Sequence, residues 1–358
     1  MNTTATAVAP EQSASERTAL KWVNKASGWL DALGFTWLVP LLKMAAGDNR
    51  SEQMKALRQV LLIPMLGISF FLLAWAFLAP RVTTSLGAIP GPVQVVQQTG
   101  ALWEDHKRER EKEVAFYERQ EQRNEKLIAD GKADKVKERA YTGKPTYIDQ
   151  IFTSIFTVGF GFLVATLIAV PLGIASGLSK TFNSAINPLI QIFKPVSPLA
   201  WLPIVTMVVS ALYVNVHDTF PKSMVITAIT VTLCSMWPTL INTALGVSSV
   251  DKDLTNVSKV LRLSTSKTIT KLVLPSALPL IFTGLRLSLG VGWMVLIAAE
   301  MLAQNPGLGK FVWDEFQNGS SQSLAKIMVA VLTIGLIGFL LDRVMYALQR
   351  AFTFSSQR

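Results

Sequence analysis

Long apolar runs separated by shorter polar segments are the dominant pattern of this chain. Half of its 358 residues are hydrophobic and 16% are charged. About 20 helical residues cross the ~30 Å hydrocarbon core of a bilayer, so each run is long enough to span a membrane. The pattern predicts six spanning helices, at residues 60–79, 151–174, 185–213, 224–244, 278–302 and 324–348. We therefore expect an all-α integral membrane protein.

The polar segments divide the chain into regions. Residues 1–59 are predicted to form an N-terminal tail followed by an interfacial segment that contains Trp22 and Trp37. Residues 80–149 form a loop that holds a charged block at 101–146. Residues 150–350 contain five helices and a polar loop at 246–275, and residues 351–358 form a short tail.

The distribution of Lys and Arg predicts the orientation of the chain. Residues 1–59 carry seven of them and the loop at 246–275 carries five, whereas the loops at 214–222 and 303–323 carry one each. Loops rich in Lys and Arg stay on the cytoplasmic side. Both termini and the loop at 246–275 are therefore predicted to be cytoplasmic.

The charged block at 101–146 contains 12 Lys and Arg and 11 Asp and Glu residues, and its near balance makes it a weak signal of orientation. The topology places it outside. Pairs such as Glu104–Arg108 favour a solvated helix, and Gly131 is predicted to divide it into two helical arms. The block is either a solvated helical hairpin or a docking surface for a periplasmic partner. Its possible contact points are Val114, Tyr117, Leu127 and Ile128.

The inventory of reactive residues excludes several classes of protein. One cysteine, Cys234, and two separated histidines, His106 and His217, predict neither a metal site nor a catalytic centre. No glycine-rich phosphate loop is present, so we expect no ATPase activity in this chain. No basic aromatic module indicates nucleic-acid binding. A secondary transporter or channel would normally show more spans or an inverted repeat, and neither is visible.

An amphipathic stripe marks the polar loop at 246–275. Its members are Leu254, Val257, Val260 and Leu261, which leave Lys252, Lys259 and Arg262 on the polar side. A short cytoplasmic helix with an exposed apolar stripe requires a partner groove that buries the stripe. The alternative is a cytoplasmic linker without a partner.

The segment 250–309 resembles the coupling loop and fifth helix of permease subunits of bacterial ATP-binding-cassette importers. The pattern of that family is Glu-Ala-Ala, three residues, Gly, nine residues, then Ile-x-Leu-Pro. Anchoring this pattern on Leu272-Val273-Leu274-Pro275 places Arg262 at the glycine and Asn256-Val257-Ser258 at Glu-Ala-Ala. The spacing is retained, while most of the named residues differ. The resemblance implies contact with the ATPase by Leu254, Val257, Val260, Leu261, Arg262, Leu274 and Pro275.

Other segments resemble the nitrate, sulfonate and taurine branch of these permeases. They are Gly-Ala-Ile-Pro-Gly-Pro at 87–92, Lys-Pro-Val-Ser-Pro-Leu-Ala-Trp-Leu-Pro at 194–203, Gly-Leu-Arg-Leu-Ser-Leu-Gly at 284–290, Ala-Ala-Glu-Met-Leu at 298–302, Gly-Leu-Gly at 307–309 and Phe-Val-Trp-Asp-Glu at 311–315. The resemblance implies the six-helix permease of a type I importer in the bacterial inner membrane. A second permease copy, two ATPases that bind ATP and Mg, and a periplasmic substrate-binding protein would complete it. Nitrate is the favoured cargo, and taurine or an alkanesulfonate is the alternative.

Three residues are candidates for the substrate pathway: Arg286, Lys194 and Trp293. A charge at bilayer depth costs about 2.5–3.5 kcal/mol on insertion scales, so Arg286 requires a partner or a wet cavity. It either pairs with a carboxylate or grips a planar oxyanion. Lys194 either lines the pathway or extends to the interface, and Trp293 either lines it or packs in the core. Glu300 is expected to bond the loop that follows it, and Asp342 and Arg343 are expected to pair.

Overall fold

The computed structural model describes residues 22–24, 26–28, 30, 34–84, 87–213 and 220–354. Residues 1–21, which include the predicted N-terminal tail, lie outside these residues. The chain divides into two compact units, Met1–Phe77 with Arg343–Arg358, and Leu78–Asp342. In the first unit, α1 (Leu38–Ala45) precedes α2 (Arg50–Leu57), a π-helical turn (Arg58–Leu62) and α3 (Ile63–Leu78). Asn49 caps α2 by accepting a hydrogen bond from the Ser51 N–H.

A two-strand hairpin and a long helix open the second unit. A 3₁₀ turn (Ala79–Arg81) leads into β1 (Thr83–Thr84), which pairs antiparallel with β2 (Gly87–Ala88). Helix α4 (Pro92–Ala129) then runs for 38 residues, about 57 Å at 1.5 Å per residue. Pro92 stands at its first position, where the missing N–H removes no helical hydrogen bond.

The remaining elements form the helical bundle. They are α5 (Tyr147–Leu178), α6 (Lys180–Phe193), α7 (Pro198–Leu212), α8 (Lys222–Ser248), α9 (Lys252–Val260), α10 (Thr265–Thr268), a π-helical turn (Ile269–Val273), α11 (Leu274–Ala303), α12 (Leu308–Asn318) and α13 (Ser321–Phe354). The boundary between the two units falls within α13. Five helical segments of the described residues are long and apolar enough to cross a membrane, or six if the bent pair α6–α7 counts as one span.

Helix α8 is the centre of the second unit. About two-thirds of the residues in its apolar 18-residue stretch are buried, compared with about a quarter in the corresponding stretches of α5 and α13. Buried residues of α8 join three apolar clusters, one with α5 and α6, one with α7 and α11, and one with the start of α11. Gly173 and Gly177 of α5 lie so close to α8 that a Cβ atom would overlap Thr243 and Val247.

These contacts also establish the direction of each helix. Gly161 lies beside Val231 and Gly177 beside Val247, so α5 and α8 run parallel. Gly292 lies beside Ser235 and Gly246 beside Ala277, so α11 runs antiparallel to α8. The start of α5 and the end of α11 therefore share one end of the unit, and α9 follows α8 at the opposite end.

Two predictions about helices are wrong. The predicted helix at 185–213 is two helices, α6 and α7, bent by 102° between Phe193 and Pro198. Pro198 explains where the helix cannot continue, because it lacks a backbone donor and disfavours helix in the preceding residue, and Ser197 is extended with ψ 142°. Within the loop predicted at 246–275 lies α9, and the helical segment that continues into α11 begins at Thr265. The second arm of the charged block is not a helix: after Gly131 it has one 3₁₀ turn and no other regular secondary structure before α5.

Candidate coupling surface and transport pathway

The end of α9 is closed by an arginine in the left-handed conformation. Arg262 has φ +49°, and the Leu263 N–H donates to the Ser258 carbonyl oxygen at 3.0 Å. This bond across six residues is the signature of a Schellman motif, which usually takes glycine at the left-handed position. The alignment above places Arg262 where the family has glycine. The backbone bend is therefore retained although the residue that normally allows it is replaced.

The apolar stripe of α9 is exposed. Val260 is 82% and Leu261 63% exposed, and Leu254 and Val257 also lie at the surface. Leu274 and Pro275 are instead half-buried at the start of α11. The four exposed apolar side chains between residues 254 and 261 form a patch of the kind that is buried by a partner protein.

Arg286 of α11 is paired with a carboxylate of α13. Its Nε and Nη2 both donate to Asp342 Oδ1, at 3.1 and 2.9 Å, and Nη2 also lies 3.1 Å from Oδ2. This is the carboxylate pairing stated above as one of the two alternatives for Arg286. Asp342, which was expected to pair with Arg343, thus receives a guanidinium from α11, 56 residues away in the chain.

The other two pathway candidates, Lys194 and Trp293, make different contacts from those of Arg286. Lys194 is exposed at the break between α6 and α7, where its N–H donates to the Ile190 carbonyl oxygen. The predicted helix at 185–213 would have placed Lys194 inside a continuous helix, but it lies at the break instead. Trp293 is buried against α13, and its Nε1 donates to the Ile334 carbonyl oxygen at 3.0 Å. This contact is the packing alternative for Trp293.

Glu300 lies in a polar junction that joins α5, α11 and α12. Its side chain is fully buried and accepts hydrogen bonds from the Ser154 hydroxyl and the Gly309 N–H. Ser154 in turn accepts from the Leu308 N–H at 2.8 Å. The prediction that Glu300 bonds the following loop is confirmed. The N–H groups of Leu308 and Gly309, which have no acceptor within the first turn of α12, thereby gain hydrogen-bond acceptors.

Neighbouring residues extend this junction to α8. Asn305 is buried, its Nδ2 lies 3.4 Å from Thr157 Oγ1, and its Oδ1 accepts from the Ser223 hydroxyl. Sequence reasoning missed Ser154 and Asn305. The available signal was a small polar residue near one end of an apolar span, at the depth predicted for Glu300.

A family model settles what kind of protein carries these features. The model described as "Binding-protein-dependent transport system inner membrane component" matches residues 169–354. The chain belongs to this family. It is the permease subunit of an ATP-binding-cassette importer, and ATP hydrolysis takes place in partner subunits rather than in this chain. The matched range contains α9, Arg262, Glu300 and the start of α12, whereas Ser154 precedes it.

Individual relatives of this permease carry different cargo names. The bicarbonate transport system permease protein CmpB of Synechococcus elongatus is 34% identical over 84% of this chain and 94% of its own. The nitrate import permease protein NrtB of Synechocystis is 39% identical over 54% of this chain and 66% of its own. The taurine transport system permease protein TauC of Escherichia coli is 32% identical over 58% and 70%.

Proposed function

We propose that this permease imports a small trigonal oxyanion, with nitrate as cargo, from the periplasm to the cytoplasm by alternating access. Two identical copies would form the pathway, with both termini of each chain in the cytoplasm. ATP-driven closure of the ATPase subunits would push on α9 and open the cavity outward. Hydrolysis would return the cavity to the cytoplasmic side. Substrate would arrive from a periplasmic substrate-binding protein.

The exposed stripe of α9 is the observation that carries this mechanism. It lies at the end of the second unit opposite the start of α5, and it has four apolar side chains at the surface. The Schellman turn at Arg262 stops the helix directly after the stripe. A short, capped, apolar helix of this kind suits insertion into a groove of an ATPase subunit.

Charge substitution on the stripe tests the docking. Val260→Glu is expected to abolish co-purification of the ATPase subunit, because a buried unpaired carboxylate opposes association. Val96→Glu is the matched control, since Val96 is as exposed but lies on α4 at the other end of the unit. Equal recovery of the ATPase with both variants would contradict a docking role for α9.

Bicarbonate is a second candidate cargo, and the extent of alignment favours it. The bicarbonate permease of Synechococcus elongatus aligns over 84% of this chain, so the aligned range runs through the charged block at 101–146. The nitrate permease of Synechocystis is more similar in identity but over a shorter range. Nitrate and bicarbonate are both planar and monovalent, so the same guanidinium or ammonium donors suit either anion.

Uptake in a strain that lacks this chain separates the cargoes. Labelled nitrate, bicarbonate and taurine are supplied in turn, with and without the intact chain. Loss of nitrate uptake and its rescue by the chain would support nitrate. Rescue of bicarbonate or taurine uptake alone would reject nitrate and leave the importer mechanism in place. A strain without other carriers for these anions is required.

A further inference from the structure

The distal half of α4 carries a groove whose charges are arranged differently from those of the proximal half. Ion pairs within the helix concentrate between residues 104 and 113, where Lys107 pairs with Glu104, Arg108 with Asp105, and Lys112 with Glu109. These pairs neutralise the proximal half internally. The distal half is organised around the chain that returns from Gly131.

The returning chain is braced against α4 along its length. The Arg139 N–H donates to Gln120 Oε1 at 2.9 Å, and Asn124 Nδ2 lies 3.4 Å from the Lys137 carbonyl oxygen. Tyr141 is held twice, since its N–H donates to the Tyr117 hydroxyl and its own hydroxyl donates to Glu109 at 2.7 Å. The distal half of α4 and the chain that returns from Gly131 are therefore held together by hydrogen bonds, and we call them the arm.

A groove of about 600 Å³ lies between the two parts of this arm. Its lining includes Tyr117, Glu121, Glu125, Ile128, Glu138 and Arg139. Three of these are acidic and one is basic. Within the part of the chain that the structure describes, Glu121, Glu125 and Glu138 form no salt bridge. The groove is therefore net acidic, with exposed Tyr117 and Ile128 at its apolar positions.

We propose that this acidic groove, lined by Tyr117–Ala140, is a docking surface for the substrate-binding protein of the importer. The partner segment would place an apolar side chain flanked by Lys or Arg into it. The arm joins the bundle at the start of α5, at the end of the second unit away from α9, so it stands on the face opposite the ATPase subunits. The inference rests on the proposed function, because that function defines this face as the outer one.

The arm also has a firm connection through which docking would act on the bundle. Arg110 of α4 bonds Asp149 of α5 at 3.0 Å, and His106 Nδ1 lies 2.7 Å from Thr146 Oγ1 at the N-cap of α5. Thr146 and Asp149 form the capping box of α5. A partner bound to the distal groove would thus be held through α4 to the first turn of a spanning helix.

The test is a titration of purified binding protein against the reconstituted importer, with ATPase rate as the readout. The double variant Glu121→Lys/Glu125→Lys reverses two charges of the groove. Its matched control is Glu111→Lys/Glu118→Lys, which reverses two exposed charges of the same helix outside the groove. The groove variant should raise the half-saturating concentration of binding protein about tenfold or more, with the basal and maximal rates unchanged. The control should behave like the wild type.

Salt and cross-linking complete the design. Raising ionic strength should weaken the stimulation of the wild type and affect the groove variant less, because exposed charges are screened. A photo-reactive residue at position 121 should form an adduct with the binding protein. An adduct with a second permease copy, or identical titrations for both double variants, would overturn the inference. A wild-type importer that no binding protein stimulates would instead reject the proposed function itself.

Discussion

The hydroxyl of Ser154 lies 2.8 Å and 2.9 Å from the two carboxylate oxygens of Glu300, although 146 residues separate them in the chain. Ser154 donates to the carboxylate and accepts from the Leu308 N–H. One hydroxyl therefore connects α5, α11 and α12. The junction is fully buried, so each of its hydrogen bonds matters more than a surface bond would.

Removing the hydroxyl of Ser154 should destabilise the permease. In Ser154→Ala, Glu300 loses a donor and the Leu308 N–H loses its acceptor, which should cost about 1–3 kcal/mol for each buried group left unpaired. Thermal unfolding in detergent, followed by loss of monodispersity, measures the change. Ser248→Ala, at the exposed end of α8, should leave stability within about 0.5 kcal/mol. Equal stability of the two variants would contradict a structural role for the junction.

Replacing Gly307 by a larger residue should destabilise the protein. A Cβ at this position would overlap the carboxylate of Glu300, so Gly307→Ala should destabilise the chain by about 1–3 kcal/mol through overpacking. Gly290→Ala is the matched control, because Gly290 lies inside α11 with open space around the added methyl group. It should be neutral or stabilising by about 0.5–1 kcal/mol. A tolerated Gly307→Ala would mean that α12 can move away from Glu300.

Arg286 and Asp342 should be coupled in a double-mutant cycle. Arg286→Leu and Asp342→Leu should each impair folding, because each removes one member of this half-buried ion pair. The double variant should recover by about 0.5–3 kcal/mol relative to the sum of the single changes. Uptake by the double variant decides between the two roles of Arg286. Recovered uptake supports structural pairing, whereas a folded variant without uptake supports contact with the anion.

Arg262 should be replaceable by glycine and not by valine. Arg262→Gly retains the left-handed turn and removes about 1–2 kcal/mol of backbone strain, so ATPase co-purification should be unchanged or improved. Arg262→Val places a branched side chain in the same conformation and should weaken co-purification. Hydrogen exchange of residues 252–263 should slow in the first variant and accelerate in the second. A loss of docking in Arg262→Gly would show that the guanidinium itself contacts the ATPase.

The bond between Tyr141 and Glu109 should set a pH window for the arm. The Tyr141 hydroxyl, followed by Lys112, holds the pKa of Glu109 below its usual range, so this contribution is present above about pH 4.3 and is lost as pH falls through the lowered pKa. The same bond raises the pKa of Tyr141, so its contribution is present below about pH 10 and is lost as pH rises through the raised value. Both partners therefore stabilise the arm between these limits.

The phenolate absorbance of Tyr141 measures this coupling. The signal is taken as the difference between the wild type and Tyr141→Phe, because the chain contains five tyrosines. Glu109→Gln should lower the midpoint of Tyr141 titration toward about 10. Glu111→Gln, which changes a carboxylate of the same helix outside this bond, is the control. An unchanged midpoint in Glu109→Gln would exclude the bond in solution.

Local patterns were sufficient to predict the helices and several of their interactions. The apolar runs at 224–244 and 278–302 predict α8 and α11 because a long apolar segment satisfies its backbone in lipid by forming a helix. The position of Glu300 near the end of its apolar run predicted a bond to the following loop, and this bond is present. Each of these interactions joins residues that are close in sequence.

Side-chain partners that are distant in the chain, and the angles between helices, could be found only from the tertiary structure. The sequence suggested the neighbour Arg343 as a partner of Asp342, but gave no sign that α11 brings Arg286 to the same carboxylate. The 102° bend between α6 and α7 depends on how both helices pack on α8, which proline content alone does not specify.

By itself, the sequence determined the membrane-spanning helices, the exposed stripe that precedes Arg262 and the family resemblance, because these depend on local composition and spacing. The structure decided that Ser154 meets Glu300, that α9 ends in a left-handed arginine and that α4 carries a fixed acidic groove. Those features arise from contacts between segments distant in the chain or from the conformation of one residue. Hydrophobic periodicity is insensitive to both, because it records which face of a helix is buried and not which residue buries it.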